Sequence, residues 1–228
     1  TYGSLIDYTD DRTDPLKGIR FNYNYGDSPQ QDPDSPDYYV QEFNLSGYIP
    51  IKKSSIALNW YRAGATVRKQ GNTDLNSLIA LETARCYANC DSATINSRAK
   101  NQQALNRYGS AGGLGGPTRL RSFAQNRYSG PQVAFRGIEY RWNFSDKETP
   151  IEYYIISDTA INFQLAFFYE EGSIADTAND LWNEMKSSTG LGFRIVTTSQ
   201  FVYRIDFASG QEGNEFIFWF DYPWGAVQ

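Results

Sequence analysis

Residues 161–172, INFQLAFFYEEG, alternate: Ile161, Phe163, Leu165, Phe167 and Tyr169 fall on one side, and Asn162, Gln164, Ala166, Phe168 and Glu170 on the other, which is mostly polar. Period two sustained over this length predicts a β-strand. The division recurs at 18–25, where Ile19, Phe21, Tyr23 and Tyr25 oppose Arg20, Asn22 and Asn24. At 137–144, Ile138, Tyr140, Trp142 and Phe144 oppose Glu139, Arg141 and Asn143; at 200–208, Phe201, Tyr203, Ile205 and Phe207 oppose Val202, Arg204 and Asp206. Shorter runs repeat it, with Leu191, Phe193 and Ile195 opposing Arg194, and Ile56, Leu58 and Trp60 opposing Asn59. Adding the less regular 39–48 and 215–220, the pattern predicts about eight strands, with a candidate ninth at 2–8 and weak helical signal throughout.

Two architectures alternate in this way. In a water-soluble antiparallel sandwich the polar face is solvated and tolerates lysine freely. Here the polar faces carry arginine, glutamate, asparagine and glutamine, which suit a hydrogen-bonded interior. The apolar faces are long and aromatic, and Tyr48, Trp142, Tyr203 and Trp224 stand near segment ends, where an interfacial girdle would place them. The pattern thus favours an all-β, antiparallel transmembrane β-barrel. The alternative is a soluble secreted β-sandwich that binds carbohydrate through exposed tyrosines and tryptophans. Connections agree with the barrel: short links at 49–54 and 198–200 alternate with long ones at 27–37, 63–130 and 173–187. The long stretch at 145–159 breaks this rule and reads as an interfacial segment that turns Ile151, Tyr153 and Ile155 to lipid. A short amphipathic helix is expected within 173–185, and a solvated, turn-rich loop at 26–37.

Composition removes several chemistries. A net charge of -5 without a long basic run argues against nucleic acid as a partner. Histidine is absent, which excludes histidine triads, histidine general bases and the commonest metal ligand, so no cofactor, metal or catalytic group is expected. Glu170 and Glu171 are adjacent and point to opposite faces of a strand, so they cannot flank one glycosidic bond. Cys86 and Cys90, in CYANC, form an even pair in a polar stretch, which suits an oxidising compartment and reads as a disulfide. A metal site would need two more ligands nearby, and a pair of free thiols is the plain alternative. No apolar run approaches the ~18–20 residues of a membrane helix.

Several motifs, in order, resemble the barrel of the outer-membrane protein assembly-factor superfamily, which includes the Bam- and Tam-type insertases and two-partner secretion transporters. They are DPLKGIRF at 14–21, the glycine-rich GGPTRLRSF at 115–123, GIEYR at 137–141, FYEEG at 168–172, GLGFR at 190–194, RIDFA at 204–208 and the aromatic EFIFWF at 215–220. The match covers the C-terminal half of such a barrel and none of the periplasmic transport-associated repeats. The resemblance implies a non-enzymatic barrel in the outer membrane of a Gram-negative bacterium, acting in protein or lipid placement, with outer-membrane lipid and a client outer-membrane protein or lipoprotein as partners. It implies that the loop at 67–130 folds into the lumen, where Arg121 meets the acidic Glu170. Glu139, Arg141, Arg194, Arg204 and Asp206 face the same interior by the alternation above and are the expected members of a lumenal network. Ser122, Leu120 and Glu170 depart from the family's usual glycine, valine and aspartate.

Eight strands enclose only their own side chains. An inward-folded loop therefore needs a larger barrel, and an open half-barrel in lipid leaves backbone groups unsatisfied at several kcal/mol each, roughly. A homodimer that closes a barrel of about sixteen strands, wide enough to admit lipid, is the expectation; the competing one is that 1–228 is the C-terminal half of a longer barrel protein.

Overall fold

A computed structural model of the protein describes residues 1–88, 90–145, 149–153, 156–197 and 201–224. The elements in chain order are β1 (Tyr2–Asp7), β2 (Gly18–Ser28), β3 (Asp37–Ile51), β4 (Ser54–Lys69), α1 (Leu75–Arg85), α2 (Ser92–Tyr108), the two-residue β5 (Gly113–Leu114) and β6 (Tyr128–Ser129), β7 (Gln132–Asn143), β8 (Thr149–Tyr153), β9 (Ile156–Ala175), β10 (Lys186–Thr197), β11 (Val202–Gly210) and β12 (Gly213–Phe220). The long strands form one continuous antiparallel sheet in the order β1-β2-β3-β4-β7-β9-β10-β11-β12, while β8 pairs with the start of β9. All nine segments expected from the alternation are strands. The sheet is not split into two facing halves, and β1 and β12 are its edges, unpaired on their outer sides among the described residues.

Register extends the sequence pattern across neighbours. A row through Ile19, Gly47, Leu58, Ile138 and Tyr169 lies on one face, and the row beside it through Tyr48, Ala57, Glu139, Phe168 and Gly190 lies on the other. The first face leaves Leu58, Ile138, Tyr140, Trp142, Phe167, Leu191, Tyr203 and Phe207 exposed. The second buries Glu139, Arg141, Gln164, Glu170, Arg194, Arg204 and Asp206 completely. Polarity is thus inverted relative to a water-soluble sheet, where charges seek water and large apolar side chains the core. A face exposing so many aromatic and branched side chains is far larger than the scattered apolar residues of ordinary surfaces.

The long connection after β4 corrects the expectation of little helix. Asp74 caps α1 by accepting from the Ser77 N–H, Asp91 caps α2 by accepting from Thr94, and Gly109 ends α2 at φ 74°. The Cys86–Cys90 disulfide clips the turn between the two helices, with the Cα atoms 6.0 Å apart. The helix expected within 173–185 is instead the end of β9 followed by a single 3-10 turn, Ala178–Asp180. Its apolar spacing belongs to a strand whose alternation continues to Ala175. Among the described residues no helix is long and apolar enough to cross a membrane. The short link at 198–200 and Ile155 lie outside the described residues, and of the 145–159 segment it is the backbone of β8 that places Ile151 and Tyr153 beside β9.

Two of the four residues assigned to a girdle lie elsewhere. Trp142 and Tyr203 are exposed on the apolar face, but Tyr48 and Trp224 are 4% and 1% exposed. Tyr48 occupies the charged face of β3. Trp224 follows Pro223, beyond the end of β12, and the chain turns back through Asp221 at φ 71° to pack over the charged face.

Candidate functional site

The site is assembled on the charged face of β7, β9, β10 and β11, under the glycine-rich segment that precedes β6. Gly115 and Gly116, at φ 110° and 103°, allow a tight reversal there, and Leu120 also takes the left-handed region at φ 53°. That reversal aims both the backbone and the side chain of Arg121 at one carboxylate. The Arg121 N–H donates to Glu170 Oε2 at 2.9 Å, and its Nε donates to Glu170 Oε1 at 2.9 Å. Nη1 of the same guanidinium donates to Asp206 Oδ2 at 2.8 Å and to Glu139 Oε2 at 3.1 Å. Charge-assisted bonds of this kind are the stronger class of hydrogen bond.

These contacts also report the shape of the sheet. β7 and β11 are three strand spacings apart, about 14 Å if the sheet were flat. One nitrogen atom bonds to carboxylates from both strands, so this part of the sheet curls around the loop.

The remaining residues complete the network. Arg194 grips Glu139 with both terminal nitrogens, at 2.7 and 2.6 Å, and Arg141 Nε donates to Glu139 Oε1 at 2.9 Å. Arg204 donates to the Pro117 carbonyl at 2.6 Å and lies 3.5 Å from Asp206. The structure therefore brings together Arg121, Glu170, Glu139, Arg141, Arg194, Arg204 and Asp206. All are 0% exposed, so each charge must be balanced by its neighbours and not by water. Four guanidiniums face three carboxylates here.

Aromatic rings supply the rest, and sequence reasoning missed most of them. The Arg121 guanidinium lies 3.4 Å from the Phe168 ring centre, and that of Arg141 lies 3.9 Å from the Tyr222 ring centre. The Tyr222 hydroxyl donates to Asp14 at 2.6 Å, which ties the residues after β12 to the link between β1 and β2. Trp224 Nε1 donates to the Thr118 carbonyl at 3.1 Å, joining the C-terminal segment to the inserted loop. Arg119, two residues from Arg121, stacks at 3.7 Å on Tyr61, whose hydroxyl donates to Glu42. A signal for the C-terminal contribution exists in the sequence: proline in DYPW stops the strand, leaving two large aromatics with no strand face to occupy.

Glycines on the charged face make the insertion fit. A Cβ at Gly172 would stand 2.6 Å from Leu114 Cδ1, and one at Gly137 would stand 2.5 Å from the Trp224 ring. The loop and the tail therefore occupy volume that any side chain at these positions would take.

Among the described residues, no group of three or more histidine, cysteine, aspartate or glutamate side chains is placed to hold a metal ion. The arrangement is an electrostatic clamp between the loop and the sheet, in which Arg121 Nη2, both Arg141 terminal nitrogens and Asp206 Oδ1 are buried without a hydrogen bond among the described residues. No protein-family model matches the chain, and no curated protein matches it.

Proposed function

We propose that the chain is a non-enzymatic half-barrel of the outer membrane of a Gram-negative bacterium, acting in protein or lipid placement there, and that the Arg121–Glu170 contact locks its loop in the lumen. The observation that supports this reading is the inverted polarity of the sheet. Large apolar side chains on one face and fully desolvated charges on the other match a wall between lipid and a polar interior. The ordered motifs from DPLKGIRF to EFIFWF support kinship with the assembly factors, with a client outer-membrane protein or lipoprotein as the partner class. Detergent dependence and heat-modifiable gel migration test it. A chain that stays monodisperse without detergent and migrates identically before and after boiling would sink the membrane reading.

The unpaired edges call for a partner in lipid, and a second copy is the proposed one. Eight antiparallel steps separate β1 from β12, so the two edges run in the same direction. A copy related by a two-fold axis along the barrel would set its β12 parallel to β1, giving twice nine strands where about sixteen were expected from sequence. Parallel ladders are slightly less stable per residue, which makes these two seams the weakest pairings in the wall. Mass measurement in micelles and cysteine crosslinks between β1 and β12 decide it. A dimeric mass with crosslinks only between copies is expected; a monomeric mass with crosslinks within one chain would replace the dimer by closure of the chain on itself.

A further inference from the structure

The outward face is not uniform. Around Gly47 on β3 lies a groove of about 430 Å³, walled by Ile19, Leu45, Leu58, Trp60, Ile138 and Tyr169 and ending at Arg136 and Glu171. It arises from one missing side chain. Gly47 stands in the row between Ile19 and Leu58, and a Cβ built there would meet nothing within 4 Å.

The polar end has an asymmetric arrangement. Glu171 is largely covered, its side chain 15% exposed, and both of its oxygens are engaged: Oε2 by Arg136 and Oε1 by the Tyr169 hydroxyl at 2.7 Å. The Arg136 side chain is 59% exposed, lies under the Trp182 ring at 5.0 Å, and keeps Nη1 free of any hydrogen bond among the described residues. Arg136 and Glu171 are also the first polar outward residues on the loop side of the apolar runs Ile138–Tyr140–Trp142 and Phe163–Leu165–Phe167–Tyr169. Height and chemistry coincide: an apolar trough runs along the sheet from a guanidinium placed at the margin of the apolar band, where headgroups lie and arginine and tryptophan are favoured.

We infer that this groove holds one phosphate-bearing acyl lipid, with a chain in the trough over Gly47 and the headgroup phosphate on the free edge of Arg136. Charge selects this occupant over a neutral one, since a guanidinium bonds phosphate in a forked, charge-assisted geometry. The inference rests on the outward face being the lipid-facing one. Lipid at this place would be held longer than its neighbours, positioned beside a wall whose interior is filled.

The test uses the full-length chain in a mild maltoside detergent and native mass spectrometry, with added phosphatidylglycerol as the probe and diacylglycerol as the control lacking phosphate. One phosphatidylglycerol per chain is expected to survive dilution, with diacylglycerol lost. Gly47→Leu fills the trough from a position with open space, so it should fold as the parent does and lose the bound lipid. Arg136→Gln should weaken retention about tenfold by removing the charged donor. Equal retention of diacylglycerol, or unchanged retention by Gly47→Leu, overturns the inference. Heat-modifiable migration of each variant is recorded before lipid is added, so failure of the membrane reading is seen separately from failure of the groove.

Discussion

The charged faces of the two halves of the sheet are built differently. On β7, β9, β10 and β11 that face is covered by the inserted loop and the C-terminal aromatics, and its six charged side chains are wholly buried together with Arg121 from the loop. On β2 and β3 the same face carries Asn22, Asn24, Glu42 and Asn44, all half-buried, with Asn59 donating to Asn44 and Ser46 from the neighbouring strand. The difference follows from what each can afford to lose to desolvation. Amides satisfy one another or water at modest cost, so they line a surface that stays partly open. Ionised groups removed from water need fixed partners: most gather where the loop supplies Arg121, while Arg20 on β2, 3% exposed, has its own partner in Asp7 at 3.0 Å.

The sharpest way to break this contrast is to remove the shared cation. Arg121→Leu leaves Glu170 without its principal partner and strips a bond from Glu139 and Asp206, for an expected loss of about 3–5 kcal/mol. Glu42→Gln on the open half should cost under about 1 kcal/mol, because its carboxylate is half-solvated. Denaturant midpoints of the two variants measure this, and equal shifts would mean that the filled half is not the more dependent on its charges.

Adding a methyl group to each half gives a smaller, matched effect. Gly137→Ala drives a carbon into the Trp224 ring at 2.5 Å and should cost about 1–3 kcal/mol while loosening the C-terminal segment. Gly26→Ala, on the same face of β2, meets nothing within 4 Å and should change stability by no more than about 0.5 kcal/mol. Thermal unfolding and protease cleavage after residue 220 read both; a neutral Gly137→Ala would show that the tail does not need its packed position.

Two further changes should leave both halves untouched. Reducing Cys86–Cys90, or replacing both by serine, releases a small covalent loop that stabilises α1 and α2 by about 2 kcal/mol at most. Hydrogen exchange should rise across 75–108 and stay constant in the sheet. The smallest effect concerns Glu212, between β11 and β12, which accepts from Arg127 at 2.7 and 3.1 Å and from the Tyr128 hydroxyl at 2.7 Å. The bonds from Arg127 hold its carboxyl below the ordinary value. A lowered folded-state pKa gives a contribution that is present above the unfolded carboxylate range and is lost as pH falls through the lowered value. Exchange at residues 126–130, corrected for its intrinsic pH dependence, should therefore rise on acidification in the parent and stay level in Glu212→Gln.

Strand identity was legible along the chain because period two needs nothing beyond neighbouring residues. The alternation placed the nine strands of the main path, though not β8, which pairs with β9, and assigned Glu139, Arg141, Gln164, Glu170, Arg194, Arg204 and Asp206 to one face without reference to a partner. The helices were less visible, since α1 is only three turns long, α2 is polar over most of its length, and the caps Asp74, Asp91 and Gly109 are their clearest marks. Arg121 and Glu170 came from a motif pattern, and spacing alone, 49 residues apart, could not have paired them.

Which side chains share a face is thus a property of the sequence, fixed by the pleat that sends successive Cβ atoms to opposite sides. Which of them touch is not. One Arg121 nitrogen reaches Glu139 on β7 and Asp206 on β11 because the sheet curls, and curvature is a property of all the strands together. Trp224 packs against the charged face where Gly137 lacks a side chain, and that fit depends on a chain reversal after β12 that local alternation cannot express. Local periodicity determined the faces; long-range packing decided the contacts, because desolvated charges settle only where several distant segments supply their partners at once.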